Sequence, residues 1–184
     1  MHRILIVGPQ GSGKGTQAKI LADKLGVPAL SMGELLRDEV AKTSDVGRRI
    51  KDLLNVGSLV PDDLARDVFK SRIEKEDAQR GFIIDSYPRN MAQYEAAKSV
   101  FEPTTILLIE VPREESMVRI QKRAKIEGRS DDTPEAIKRR LSVYDKETMP
   151  MIEEYEKQGL VRRINGVGTV EEIASRIAMS LHID

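Results

Sequence analysis

The chain has 184 residues, its 30 Lys and Arg balance 30 Asp and Glu, and it contains no cysteine. That length suits one α/β domain with insertions. The zero net charge removes the bulk attraction expected of a nucleic-acid binder, and the lack of cysteine excludes disulfides and Cys-ligated zinc.

Arg3–Val7 is a short, β-branched apolar run that predicts a buried strand. It enters at once from the first residues, which leaves no room for a signal peptide. No apolar run approaches the roughly 20 residues of a membrane span. The expected location is the cytoplasm, without membrane or nucleic-acid partners.

Gly8-Pro9-Gln10-Gly11-Ser12-Gly13-Lys14-Gly15-Thr16 follows, and Thr16–Leu25 has apolar residues at helical spacing that end at Gly26. Strand, Gly-rich turn, helix is the context a phosphate loop needs. The glycines let backbone N–H groups converge on a polyphosphate. The helix N-terminus adds donors and its positive dipole end, and Lys14 brings a mobile charge to the β- and γ-phosphates. A plain Gly-rich turn is the bland alternative, but lysine, spacing and context all argue against it. Gly15 stands where Ser or Thr usually ligates magnesium, and Thr16 comes one residue later. A GTPase or motor ATPase does not normally give up that hydroxyl. Mg2+ is therefore expected to be held mainly by nucleotide phosphates and water, with help from an acid elsewhere. This points to a kinase of small nucleotides.

Pro28–Leu30 predicts a second strand. Ser31 then caps a helix with Glu34 at its third position, a capping box. Arg37 lies a turn further on, and the sequence leaves open whether it points into a cleft or into solvent. Ser31 to about Val60 holds helical patterns at Gly33–Lys42 and Val46–Asn55, too much for a simple connection. Gly81–Ile84 predicts the third strand, followed by Asp85-Ser86-Tyr87-Pro88-Arg89. Asp85 suits the acid that orders magnesium directly or through water, and Arg89 suits a bidentate phosphate grip. The alternative is a helix-capping acid beside a surface arginine.

Thr105–Val111 predicts a fourth strand, and Leu160–Ile164 a fifth. Between them, Arg119 and Arg123 are four apart and share a helix face. Ile120 to about Asp132 is a charged second insertion that carries Arg129. Arg140 lies on a helix that Thr133 caps and Pro134 opens. These arginines are either solvated charges or groups that neutralise a transferred phosphoryl from several sides. Apolar strands alternating with helices imply a parallel sheet covered on both faces. Such a sheet binds ligands at the carboxyl ends of its strands, after Val7, Leu30, Ile84 and Val111. His2 and His182, at the chain ends, receive no chemistry.

With these segments in hand, the chain resembles the short-lid, non-zinc adenylate kinases of the nucleoside monophosphate kinase family, over essentially all its residues. Gly8–Gln17 resembles the family phosphate loop, with Gln10 where Pro or Gly is common. Ser31–Arg37 and Gly57-Ser58-Leu59-Val60-Pro61-Asp62 resemble two segments of the monophosphate-binding insertion. Gly81–Arg89 with Gln93, Gly128–Asp132 with Lys138–Leu141, and Gly166–Val170 resemble the remaining motifs.

The resemblance implies an α/β fold of the P-loop NTPase type, a five-stranded parallel sheet flanked by helices. It implies a core of 1–30, 61–121 and 133–184, a monophosphate-binding insertion at 31–60, and a lid at 122–132. The implied reaction is Mg2+-dependent transfer from ATP to AMP giving two ADP, by a monomer. Gly11, Ser12, Gly13, Lys14, Gly15 and Thr16 would bind ATP phosphates, Arg119 and Arg123 would meet ATP from the lid side, and Gly168 would sit by its base. Ser31, Met32, Arg37, Ser58, Leu59, Val60, Ser86, Tyr87, Pro88 and Arg89 would line the AMP pocket, with Gln93 reading the adenine edge. Arg129 and Arg140 would contact phosphates near the point of transfer. Lys14, Arg89, Arg123, Arg129 and Arg140 are the implied catalytic set, and Asp85 would order magnesium-bound water, with Asp131 and Asp132 coupling lid closure. Met32 replaces the usual Thr and Ser86 the usual Gly. These changes are neutral, or they alter base preference or weaken AMP binding, and a UMP/CMP-type kinase is the alternative.

Overall fold

The computed structural model describes residues 1–42, 44–56, 58–127 and 133–183, with side chains for all of these except 123–127. Five strands form one sheet: β1 His2–Val7, β2 Ala29–Ser31, β3 Gly81–Asp85, β4 Thr105–Glu110 and β5 Val161–Asn165. Their order is β2-β3-β1-β4-β5, and every neighbouring pair is parallel. The predicted α/β architecture is the observed one.

The strands read as near-continuous apolar runs because both faces are covered. On one face Leu5, Val7, Ile84 and Leu108 pack with Phe69, Phe82, Tyr87 and Phe101. Phe69 is the hub of that cluster, with ring centroids 5.0 Å from Tyr87 and from Phe101 and 5.7 Å from Phe82. On the other face Ile4, Ile6, Ile83, Leu107 and Ile109 pack with Ala18, Leu21, Ala22, Ile173 and Ile177. The period-2 alternation of strand side chains thus splits one sheet between two cores. Each fully buried aliphatic side chain contributes about 1.5–3 kcal/mol.

Helix α1 (Lys14–Leu25) and helix α9 (Val170–Leu181) supply the second core, and Gly26 closes α1 with a φ of 62°. Helices α2 (Met32–Ala41), α3 (Asp45–Asn55) and α4 (Asp62–Ile73) carry Leu36, Ile50 and Phe69 into the first. Ser44 caps α3 by accepting from the Gly47 N–H at 3.0 Å. Helix α5 (Met91–Lys98) follows β3. Helix α6 (Arg113–Glu127) follows β4, α7 spans Pro134–Val143, a π-helical turn spans Tyr144–Thr148, and α8 spans Met149–Lys157. No described helix is long and apolar enough to cross a membrane.

Element ends differ from expectation by one or two residues. Helix α1 starts at Lys14 rather than Thr16, because Gly13 takes a left-handed φ of 85° and turns the chain into the helix immediately. Strand β2 runs Ala29–Ser31 rather than Pro28–Leu30, because the parallel register continues to Ser31 opposite Asp85. Strand β5 is likewise shifted by one, and β4 stops at Glu110. The charged insertion does not begin at Ile120. That residue is fully buried against Ile137 and Leu141, and α6 runs on to Glu127. Residues 128–132, with Arg129, Asp131 and Asp132, lie outside the described residues.

Candidate active site

A cleft of about 720 Å³ opens at the carboxyl ends of β1, β2 and β3. The loop from Gly8 to Gly13 forms its floor. Gly11 holds a φ of 82°, and a Cβ there would come within 2.6 Å of the Ser116 carbonyl oxygen, so α6 passes too close for any side chain. Among the described residues no side chain caps α1. Its first-turn N–H groups therefore face the cleft as an anion site. Lys14 Nζ donates to the Pro9 carbonyl at 3.3 Å and so arches over the loop. Gly11, Gly13, Lys14, Gly15 and Thr16 all line the cleft. Ser12 does not: it is fully buried and its hydroxyl has no partner among the described residues.

Arg119 belongs to the same wall. Its Nε donates to Glu115 Oε1 at 2.7 Å, and Nη1 reaches the Ser12 carbonyl at 3.5 Å. The helical spacing from Glu115 thus aims the guanidinium at the phosphate loop. Arg123 is in α6, but its side chain, like all of Arg129, is outside the described residues.

The second wall is cationic. Arg37, Arg89 and Arg140 come from α2, the β3–α5 loop and α7, and all three line the cleft. Arg89 is held at three atoms: its N–H donates to Gln93 Oε1 at 2.9 Å, its Nε donates to the Ser86 carbonyl at 2.8 Å, and its carbonyl accepts from Thr148 Oγ1 at 2.7 Å. Burial pushes the Arg89 guanidinium below its ordinary pKa, and the like charges of Arg140 and Arg37 push the same way, against the attraction of Asp85. A buried guanidinium flanked by two like charges forms a site for an anion. Arg140 Nη2 also donates to the Leu54 carbonyl at 3.2 Å, near the C-terminal end of α3.

Asp85 ends β3 and is buried beside the phosphate loop. A Cβ on Gly15 would lie 3.5 Å from Asp85 Oδ2, an ordinary contact, so the acid sits against the first turn of α1. This donor set fits magnesium, a hard cation that keeps waters and takes oxygen ligands. Asp85 offers a carboxylate and Thr16 a hydroxyl on the cleft wall. Among the described residues no group of three or more His, Cys, Asp or Glu could hold a metal ion.

Other expected site residues sit differently. Ser31, Ser58, Leu59, Ser86 and Pro88 line the cleft. Ser31 accepts from the Glu34 N–H at 3.3 Å, the first half of the expected capping box, while the Glu34 carboxylate lies 3.8 Å from Lys19. Met32 does not present its side chain to the cleft. It is 3% exposed and packs in the first core with Leu36 and Ile50, because residue 32 opens α2 on its buried side. Val60 and Tyr87 are buried in that core as well. Gln93 is buried and spends its Oε1 on Arg89. Gly168 is off the cleft wall. A Cβ there would strike the Glu172 carboxylate, which accepts from the Thr169 N–H in the α9 capping box.

Thr148 and Tyr144 are cleft residues that sequence reasoning missed. Burial raises the Tyr144 phenol to about 12, so it is a neutral part of the wall. Neither carries a motif signal. The π-helical turn that brings both to the cleft follows from the junction of α7 and α8.

A family model described as adenylate kinase matches residues 6–160. An adenylate kinase of Thermus thermophilus is 43% identical over 185 residues, covering 98% of this chain and 97% of the relative. That of Bifidobacterium longum is 41% identical over 184 residues, with 97% and 99% covered. That of Kocuria rhizophila is 38% identical over 186 residues, with 98% and 99% covered. Likeness of this extent covers nearly the whole chain, and the chain belongs to the adenylate kinase family.

Proposed function

We propose that the chain transfers the γ-phosphoryl group of magnesium-bound ATP reversibly to AMP, giving two ADP. The observation that carries this reading is that two anion grips share one cleft: the phosphate loop with Lys14, and the Arg37–Arg89–Arg140 cluster. A nucleotide-binding switch needs the first grip and has no use for the second.

In this reading the loop N–H groups and Lys14 hold the β- and γ-phosphates. Arg37 and Arg89 hold the phosphate of AMP, and Arg140 neutralises charge at the transferred group, with Arg123 and Arg129 assigned the same task from the lid side. An oxygen of the AMP phosphate attacks the γ-phosphorus while the bond to the β–γ bridging oxygen breaks, and ADP leaves. The attacking oxygen is already anionic, so no general base is needed. Catalysis is positioning, charge neutralisation and exclusion of water. Magnesium, arriving with the nucleotide, supplies charge neutralisation at the phosphate oxygens. Asp85 and Thr16 are the side chains that would hold its water shell. The segments 31–60 and 122–132 are assigned to closure over the two nucleotides. Gln93 serves the monophosphate site by fixing the Arg89 backbone.

The test is turnover with MgATP and each of AMP, GMP, CMP, UMP and dCMP at equal concentration. A strong preference for AMP is expected. Preference for a pyrimidine monophosphate overturns the reading in favour of a UMP/CMP-type kinase.

A further inference from the structure

Asp85 has its two oxygens in different surroundings. Oδ1 accepts a hydrogen bond from Ser86 Oγ at 2.5 Å, whereas Oδ2 is the oxygen toward Gly15 and the start of α1. A carboxylate turns about a broad, roughly two-fold terminal torsion, so nothing intrinsic fixes the orientation of its plane toward the loop. A short hydroxyl–carboxylate bond to one oxygen does fix it.

Ser86 reaches this position in an unusual way. Its φ is 67°, in the left-handed region where glycine is at ease and a Cβ is strained. The backbone there is held from both sides: Ser86 N–H donates to the Ile6 carbonyl at 3.3 Å, and the Ser86 carbonyl accepts from Arg89 Nε at 2.8 Å. A glycine would satisfy those two bonds equally well. What serine adds is the hydroxyl, and the hydroxyl goes to Asp85.

We propose that Ser86 is a positioning residue for the magnesium-ordering acid: its hydroxyl locks the Asp85 carboxylate with Oδ2 toward the phosphate loop. This rests on the phosphoryl-transfer reading of the cleft. Ser86 then joins the two halves of the site through one residue, its hydroxyl orienting the acid on the ATP side and its carbonyl orienting Arg89 on the AMP side. Oriented outer groups of this kind tune a metal shell without touching it.

The test compares Ser86→Ala and Ser86→Gly. Both lose the hydroxyl, but alanine keeps the left-handed strain and glycine removes it. Calorimetric titration with ATP, with and without Mg2+, reads the gain in affinity that the metal confers. In both variants that gain is expected to fall by roughly tenfold, with metal-free ATP binding unchanged. Melting temperatures, by contrast, are expected to separate, Ser86→Ala lying below Ser86→Gly by roughly 2–6 °C. A magnesium gain that stays at the unmodified level in both variants overturns the proposal. So does a gain lost only in Ser86→Ala, since backbone strain and not the hydroxyl would then be responsible. Turnover of the unmodified chain with MgATP and AMP is measured alongside. Its absence sinks the reading of the site itself, whereas its presence with an unchanged magnesium gain in both variants sinks only the role of Ser86.

Discussion

The hydroxyl of Thr148 donates to the carbonyl of Arg89 at 2.7 Å, joining residues 59 positions apart. Thr148 is 5% exposed and ends the π-helical turn Tyr144–Thr148, which continues from the helix bearing Arg140. One hydroxyl therefore ties the placement of Arg89 to the helix that carries Arg140, a second cation of the cleft wall. Thr148→Val keeps the volume and removes the donor. It leaves the Arg89 carbonyl underpaired, at a cost of about 1–2 kcal/mol of stability. The KM for AMP is expected to rise more than that for ATP. Equal changes for both nucleotides would show that Thr148 does not act through Arg89.

Lys14→Ala is expected to lower turnover by roughly 10³-fold with the fold intact. The side chain reaches the neighbouring Pro9 carbonyl over an open cleft and belongs to neither apolar core, so no core contact is lost. Unchanged circular dichroism with near-normal turnover would remove Lys14 from the chemistry.

Arg37 and Arg140 both act as like charges on the buried Arg89 guanidinium. AMP should therefore stabilise the chain, by about 2.7 kcal/mol at a hundredfold excess over its dissociation constant. Arg89→Ala is expected to abolish the rise in melting temperature with AMP and to leave the rise with ATP. Loss of both shifts would mean that the two sites are not separable in this way.

Gly11 and Gly26 share a left-handed backbone, with φ of 82° and 62°, but not the same surroundings. At Gly11 a Cβ meets the Ser116 carbonyl and Ile120, whereas at Gly26 nothing lies within 4 Å. Gly26→Ala should cost about 1 kcal/mol from conformation alone. Gly11→Ala should cost roughly 2 kcal/mol more from the clash and weaken ATP binding, because α6 and the loop must separate. Chemical denaturation and ATP titration of the two variants check this, and equal costs would contradict the close passage of α6.

The four tyrosines report alkaline unfolding without interference, since tryptophan is absent. Burial raises Tyr87 and Tyr144 to about 12 and Tyr155 further. The ordinary value is about 10. The folded state therefore keeps protons that the unfolded chain has given up, and stability present below pH 10 is lost as pH rises through about 12. Tyrosinate absorbance from these three residues should appear together with loss of structure. Their ionisation near pH 10 in a folded chain would contradict the burial.

The phosphate loop was legible from residues 3–26 because everything it requires is local. An apolar strand, glycines at the turn, and a helix stop at Gly26 are matters of backbone freedom and hydrogen bonds within a few residues. The Thr133 cap, which accepts from the Ala136 N–H at 3.2 Å, and the parallel sheet implied by alternation were legible for the same reason. The direction of a side chain at a cleft is not local. Whether Arg37 was solvated or cleft-facing stayed open until the packing of α2 against α3 and α4 put it beside Arg89. Met32 looked like a change near the base, yet the same packing turns it into the core. Gln93 turned out to brace the Arg89 backbone, and Thr148 had no motif at all. Sequence by itself determined the sheet and the phosphate loop, since these follow from periodicity and chain conformation, and it carried the family through the resemblance of its motifs. Tertiary structure alone decided which side chains meet: contacts such as Thr148 with Arg89 join distant segments whose relative placement is set by core packing.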